Sequence, residues 1–292
     1  MDARVAPRTT SIVLVAFVDD AEIERWLHER LEAFATKHPA RIILLDASCN
    51  ATADRDEDLW SIRGVRDVDV LDLCALVREL APYGRHLSLL WAARSISDPR
   101  FIELADEADS ILLDSSRSVT DISDLSALIA YIRDHDERLV HDLAYLRLHP
   151  WQEMIASCFD ERVHLDLIDS VTTIEITAGS DAESWYLLAW ICDRIGHRIP
   201  HRFYREGTAR RVRSVALVAP HARFCAELIE GEEVRISITG SQPRAPRTER
   251  LNDVDILALL ERAILAKESD PLFHPTLREL GNLLATENSN VE

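Results

Sequence analysis

The chain has 292 residues, of which 47% are hydrophobic and 29% are charged, which is typical of a soluble globular protein with roughly two domains. Its net charge of −18 at pH 7 disfavours nucleic acid as a partner, because phosphate backbones carry the same sign. The longest apolar runs, Ile12–Val18 and Trp185–Cys192, are too short to span a bilayer. We therefore expect no membrane partner and, since no export signal is recognisable, a cytoplasmic protein.

The first part of the chain alternates between predicted strands and helices. Apolar runs predict buried strands at 12–18, 42–45, 87–91 and 111–113. Helices are predicted after the capping pattern Asp19-x-x-Glu22, at 99–107, at 122–133, at 135–146 and from Pro150 onward. This alternation predicts an N-terminal α/β domain, residues 1–163, with a mostly parallel, Rossmann-like sheet and flanking helices.

The pattern changes after about residue 160. One-sided or short strands are predicted at 172–177, 215–219, 224–229 and 234–238. A buried helix follows the capping pattern Ser180-x-x-Glu183 and ends at Gly196. Residues 240–249 contain two prolines and predict a loop, and a late helix covers 256–264. These segments predict a second, α+β domain over residues 164–292.

The motifs of common catalytic and cofactor sites are missing from the sequence. Only eight glycines occur, and none form a G-x-G-x-x-G or P-loop pattern. The five cysteines include no C-x-x-C pair, and Pro200 separates His197 from His201. We therefore predict no catalytic residue, no cofactor and no metal site.

Two features each allow two interpretations. Asp46 and Asp114 follow predicted strands, where they could bind a ligand at the sheet edge or simply form turns. The stretch Arg194–Arg213 holds seven arginines and one acid, Glu206, so it is either a site for an anion or acidic partner, or a solvated loop. Together they permit an alternative function, a phosphosugar- or nucleotide-binding enzyme or sensor.

Two segments resemble a known family. Asp142–Gln152 reads DLAYLRLHPWQ and resembles the D-L-N-W-x-R-L-T-P-W-R segment of the glucose-6-phosphate dehydrogenase assembly protein family, OpcA. Glu183–Gly196 resembles that family's L-L-A-G-W-L-x-x-R-L-G helix. Ala144 and Tyr145 replace the usual Asn-Trp, and Gln152 replaces the usual Arg, so the chain resembles a divergent member.

This resemblance implies a non-catalytic adaptor or allosteric activator. Such a protein binds glucose-6-phosphate dehydrogenase and promotes its active oligomer in the oxidative pentose phosphate pathway. The predicted partner interface consists of residues of the matched segment, as the resemblance implies, together with three arginines of the basic stretch, whose charge suits an acidic partner. These residues are Tyr145, Arg147, Pro150, Trp151, Gln152, Arg198, Arg202 and Arg205.

Overall fold

A computed structural model describes residues 12–48, 53–55, 59–159, 165–207, 211–240, 243–252 and 255–289. The chain divides into two compact units, each described here by itself. The first comprises Met1–Thr120, Ala130–Asp142 and Leu260–Glu268, and the second comprises Asp121–Ile129, Leu143–Leu259 and Ser269–Glu292. The predicted domain boundary between residues 163 and 164 lies outside the described residues and stays a prediction.

The first unit is a sheet with flanking helices. Its elements, in chain order, are β1 (Ile12–Val18), α1 (Ala21–Lys37), β2 (Ala40–Asp46), β3 (Ala53–Arg55), β4 (Leu59–Arg63), α2 (Val70–Leu80), β5 (Leu87–Trp91), α3 (Pro99–Asp106), β6 (Ser110–Leu113), α4 (Ser115–Ser118), α5 (Ile122–Asp134) and β7 (Leu139–Asp142). Helix α5 contributes residues to both units.

The first sheet has the strand order β3-β4-β2-β1-β5-β6-β7. Its neighbours are parallel except β3, which runs antiparallel to β4. The central strand β1 is an apolar run whose residues 13–18 are all buried, as expected for a strand covered on both faces. The prediction of a mostly parallel, Rossmann-like sheet with flanking helices is confirmed.

The second unit also has one sheet. Its elements are α6 (Leu143–Leu146), α7 (His149–Cys158), α8 (Leu165–Asp169), β8 (Thr173–Ala178), α9 (Asp181–Ile195), β9 (His201–Arg205), β10 (Val212–Ala219), β11 (Ala222–Leu228), β12 (Glu233–Gly240), β13 (Arg244–Arg250), α10 (Ile256–Leu265) and α11 (Phe273–Ser289). Helix α10, like α5, is shared between the units.

The second sheet has the order β13-β12-β11-β10-β8-β9. All neighbours are antiparallel except β8 and β9, which are parallel. Helix α9 packs against β8 and α11, and residues 182–192 along it are all buried, because this segment is apolar nearly all round. Gly196 ends α9 with a left-handed φ of 85°, the conformation for which glycine is favoured. The predicted α+β fold class of the second domain is confirmed.

Two predicted elements are wrong. The helix expected over 135–146 is instead strand β7 followed by the short helix α6, because residues 139–142 complete the edge of the first sheet beside β6. The loop expected over 240–249 contains strand β13, which pairs with β12.

Candidate functional site

The carboxyl edge of the first sheet is where an open parallel sheet usually binds a ligand. The strand order reverses between β1 and β5, and open parallel sheets bind ligands beside such a reversal. Asp19 and Asp20 connect β1 to α1, and Arg94 lies shortly after β5. Neither of the two connecting residues is a glycine, so the first turn lacks the close backbone approach that dinucleotide-binding turns use.

Asp20 fills the N-terminus of α1 with its own carboxylate. Its Oδ1 accepts hydrogen bonds from the backbone N–H groups of Glu22 at 2.8 Å and Ile23 at 3.1 Å. The Ile23 N–H and the Arg94 guanidinium, which pairs with Asp20, hold the pKa of this carboxyl below its usual value. Because a carboxylate already accepts these N–H groups, a pyrophosphate cannot bind this helix terminus in the usual way.

Asp19 adds a second negative charge at the same edge. Both of its carboxylate oxygens accept from the backbone N–H of Arg94 at 3.2 Å. The connection after β5 is thereby tied to the connection after β1, across the point where the strand order reverses. The two carboxylates at this edge disfavour a phosphate there, although the exposed Arg94 guanidinium lies beside them.

Asp46 and Asp114 do not form a shared site. Their strands, β2 and β6, are separated by β1 and β5, which puts them roughly 14 Å apart at about 4.8 Å per strand. Asp46 is buried and accepts from the backbone N–H of Ser48 at 2.7 Å, whereas Asp114 precedes α4 and accepts from the Ser116 hydroxyl at 2.6 Å. Both carboxylates accept hydrogen bonds from residues two positions further along the chain, as turn residues do.

Tyr145 lies at the centre of a buried aromatic cluster in the second unit. Its ring is 4.9 Å from that of Phe273, 5.5 Å from that of His149 and 5.7 Å from that of Tyr186, measured between centroids. Its hydroxyl donates to Asp270 at 3.5 Å, and burial raises the pKa of the phenol well above its usual value. The side chain is 1% exposed, so Tyr145 packs the interior.

Arg147 forms an ion pair with a fully buried acid. Its Nε lies 3.0 Å from Oε1 of Glu183, in the first turn of α9. The Glu183 side chain has 0% exposure and the Arg147 side chain 16%. The sequence indicates Glu183 only as a capping residue, because nothing in its spacing shows that α9 is buried even at its first turn.

A cavity of about 100 Å³ adjoins this ion pair. Its walls come from the start of α7, the first turn of α9, the ends of β10 and β11 and the turn before β12. The lining residues are Arg147, Leu148, Trp151, Glu183, Arg211, Val212, Leu228, Gly231, Glu232 and Leu251. The cavity thus combines apolar walls with four charged side chains.

The remaining residues of the predicted interface segment are also buried. Pro150, Trp151 and Gln152 form the first turn of α7, and the side chains of Trp151 and Gln152 are 2% and 5% exposed. Whether the segment affects a partner stays a prediction. Its burial means that any such effect acts through the surface that these residues support.

The three arginines of the basic stretch have different surroundings. Arg198 pairs with Glu279 at 3.7 Å and donates to the Thr286 hydroxyl, both on α11. Arg202 and Arg205 lie on β9 at the edge of the second sheet, with side chains 68% and 71% exposed. They share one strand at the edge of the sheet formed by the described residues, but they are three residues apart, so their side chains point to opposite faces: Arg202 toward Glu175 on β8 and Arg205 toward Asp181 on α9.

Glu175 is a site residue that the sequence alone does not reveal. It lies opposite Arg202 in the register of β8 and β9. Its carboxylate is 2.8 Å from Arg223 on β11 and 3.9 Å from Arg202. The exposed face of the second sheet therefore carries a row of charged side chains, Arg202, Glu175 and Arg223, that crosses several strands. This arrangement cannot be predicted before the strand register is known.

The described residues contain no group of three or more histidine, cysteine or acidic side chains placed to hold a metal ion. Cys74, Cys158 and Cys192 are buried and Cys225 is partly buried, and burial raises the pKa of each thiol. Cys49 lies outside the described residues. Within the part of the chain that the structure describes, no helix has the length and apolarity needed to cross a membrane.

Comparison with known proteins places a recognisable domain mainly over the second unit. Residues 138–277 match a family described as the C-terminal domain of the glucose-6-phosphate dehydrogenase subunit. This segment contains the Arg147–Glu183 pair, the cavity and the second sheet. The resemblance seen in the sequence is supported over this part of the chain.

One relative is a Synechocystis sp. protein that carries the name OpcA and is ascribed to the OxPP cycle. The two are 29% identical over 126 residues, which cover 42% of this chain and 26% of the relative. The match thus spans about a quarter of that protein's length.

Several solved structures share the fold across nearly the whole chain. Levoglucosan dehydrogenase in complex with NADH and L-sorbose superposes with a TM-score of 0.54 at 9% identity, covering 96% of this chain and 98% of that one. The transcriptional regulator Gal80p of Kluyveromyces lactis gives 0.53 at 8% identity, covering 97% and 92%. KijD10, a 3-ketoreductase from Actinomadura kijaniata, gives 0.51 at 9% identity, covering 94% and 96%. These similarities support the Rossmann-like fold alone.

Proposed function

We propose that this chain is a non-catalytic adaptor that binds glucose-6-phosphate dehydrogenase and promotes its active oligomer in the oxidative pentose phosphate pathway. The observation that carries the proposal is the family match over residues 138–277. The name of the Synechocystis relative agrees with the pathway.

The capped first turn at the edge of the first sheet supports a non-catalytic role. A dehydrogenase with this fold binds its dinucleotide on the helix after the first strand. Here Asp20 occupies those N–H groups and Arg94 ties Asp19 and Asp20 to the loop after β5. The alternative of a nucleotide-binding enzyme or sensor at this edge is correspondingly disfavoured, and calorimetry with NADP and NAD is expected to show no binding.

The exposed edge of the second sheet is our proposed contact surface. Arg202 and Arg205 lie on β9, the last strand of the sheet formed by the described residues, and place exposed positive charge on its two faces. Arginine suits such a surface because its guanidinium binds carboxylates in a bidentate manner. The segment from Tyr145 to Gln152 is mostly buried, and in this proposal it supports the unit from inside and takes no direct part in the contact.

Activation has a thermodynamic requirement. A binding protein shifts its partner toward the active oligomer only if it binds that form more tightly than the inactive form. We therefore expect the dehydrogenase to form a larger oligomer in the complex, and its affinity for this chain to rise as it assembles.

The test is a light-scattering measurement of mass on a sizing column. The dehydrogenase of the same organism is loaded with the chain, with the double variant Arg202→Glu/Arg205→Glu, or with the control Arg278→Glu, which changes an exposed arginine on α11. We expect a larger oligomer containing both proteins with the wild-type chain and the control. We expect at least tenfold weaker association with the double variant.

Absence of any complex with the wild-type chain would contradict the proposed function. A complex that the double variant forms equally well would retain the partner but overturn the proposed contact surface.

A further inference from the structure

The charged residues at the cavity of the second unit include one arginine that pairs with no acid in the described ion pairs. Its four charged lining residues are Arg147, Glu183, Arg211 and Glu232. Glu183 is neutralised by Arg147 at 3.0 Å, and Glu232 is neutralised by Arg250 at 2.7 Å. In the ion pairs formed by the described residues, Arg211 has no acidic partner.

Arg211 is also short of a hydrogen bond. Its Nε is buried from solvent and has no acceptor among the described residues. A buried donor without an acceptor is costly, and such groups are common where a ligand or water completes the site. The missing partner is an acceptor, and the uncompensated charge of Arg211 favours a negatively charged one.

The cavity size limits what that partner can be. Its volume of about 100 Å³ is smaller than a cavity of about 150 Å³ that accommodates benzene. A phosphate ion or a small carboxylate fits this space, whereas a whole sugar phosphate or nucleotide does not. The guanidinium fork of arginine matches both oxyanions in geometry.

We propose that this cavity binds a small oxyanion, phosphate or carboxylate, with Arg211 as its main partner. The bound ion would contact the start of α7 through Leu148 and Trp151 and the β11–β12 turn at Gly231 and Glu232. It would thereby join two segments of the second unit that are distant in sequence. The proposal concerns the chain alone and does not depend on the dehydrogenase partner.

The test is isothermal titration calorimetry with inorganic phosphate and, separately, with acetate. Ionic strength is held constant with potassium chloride, and folding of each variant is checked by circular dichroism. Three variants are compared with the wild type: Arg211→Gln removes the proposed partner, Glu232→Gln removes a negative charge from the wall, and Arg278→Gln is the exposed control.

We expect saturable binding of at least one of the two ions to the wild type and to Arg278→Gln. Affinity falls at least tenfold in Arg211→Gln and rises severalfold in Glu232→Gln. The ion that binds more tightly identifies the oxyanion class. A general loosening of the cavity would weaken both variants, so the opposite signs separate recognition from structural damage.

The proposal is overturned if neither ion binds saturably to the wild type. It is also overturned if Arg211→Gln binds as well as the wild type, or if Glu232→Gln weakens binding together with Arg211→Gln.

Discussion

Glu183 carries a carboxylate at a position with no solvent exposure, and Arg147 is the cation beside it. Burying a charge costs several kcal/mol, and only a well-placed partner offsets that cost. The intact pair therefore adds little net stability, whereas removing one of its two residues is expected to destabilise the fold strongly. Removing either residue takes this ion-pair contact from the one that remains.

A direct interaction between Arg147 and Glu183 predicts a non-additive double-mutant cycle. Arg147→Met, which leaves the Glu183 carboxylate without this cation, lowers the free energy of unfolding by about 3 kcal/mol. Glu183→Gln also destabilises the chain, because Arg147 loses its acid. The double variant Arg147→Met/Glu183→Gln is expected to be less destabilised than the sum of the two. Urea unfolding measures all four proteins, and strictly additive losses would contradict a direct interaction.

Asp20 gives a prediction about pH. Asp20→Ala removes the cap of α1 and lowers the free energy of unfolding by about 1 kcal/mol at pH 7, whereas Asp20→Asn, which still caps, loses less. Because the folded-state pKa is lowered, the carboxylate stabilises the fold above the unfolded-state pKa and loses this effect as pH falls through the folded-state pKa. The difference between wild type and Asp20→Asn should therefore shrink below about pH 4, where unfolded Asp begins to take up its proton. Urea unfolding at pH 7, 5 and 3 tests this, and a difference that grows on acidification would contradict it.

At the scale of elements, the second sheet depends on one glycine. Gly240 ends β12 with a φ of 127°, and a Cβ there would lie 2.2 Å from the backbone oxygen of His221 and 2.6 Å from Cα of Ala222. Gly231, in the β11–β12 turn, also has a positive φ, of 57°, but nothing lies within 4 Å of its added Cβ. Alanine at either position would strain the backbone, but only at Gly240 would it also overlap neighbouring atoms. Comparing the two substitutions therefore distinguishes steric overlap from backbone strain.

We predict that Gly240→Ala lowers the free energy of unfolding by about 2 kcal/mol or more, since strain and overlap act together. Gly231→Ala is the matched control and loses about 1 kcal/mol from strain alone. Thermal unfolding of both variants provides the measurement. Equal losses would show that the overlap at Gly240 is relieved by a shift of the hairpin.

Elements with strong local signals are predictable from the sequence, and those determined by pairing are not. The apolar runs of β1 and β5 follow from residues close in sequence, and the N-cap of α1 is Asp20, one residue after the Asp19 that the capping pattern indicates. Strand β7 resembles a helix because its apolar residues also fit helical spacing, and only pairing with β6 decides between the two. The tertiary context outweighs the local pattern.

Strand β13 escapes prediction because its Pro246 favours a loop. It lies at the sheet edge, where a proline interrupts no second ladder. The register between β12 and β13 also shifts between Ile236 and Ile238, so an irregularity accommodates that segment. Neither the edge position nor the register shift can be read from one strand's sequence.

At the scale of the whole molecule, the sequence predicts which types of residue form the candidate sites but not where those residues lie in the fold. The arginine-rich stretch is evident in the sequence, yet its members have separate roles: Arg198 contacts α11, Arg202 lies on an exposed edge strand, and Arg211 lines a cavity. The importance of Glu183 and Glu175 is hidden because their partners are distant in sequence. The sequence shows that positively charged residues are concentrated in this stretch. Only the fold shows which surroundings each of them has.

The chain combines a Rossmann-like first sheet with a first turn whose helix N–H groups are already capped by Asp20. Its second unit contains most of the region that matches the glucose-6-phosphate dehydrogenase subunit family. This combination underlies our proposal that the chain binds a dehydrogenase and has no dehydrogenase activity of its own.

The most direct test of that proposal is a dehydrogenase assay. The chain is titrated into glucose-6-phosphate dehydrogenase from the same organism while NADPH formation is followed, with a sample of the chain alone as control. We predict a saturable rise in rate or in substrate affinity, and no NADPH from the chain alone. An unchanged rate across the full titration, or NADPH formation by the chain alone, would contradict the account.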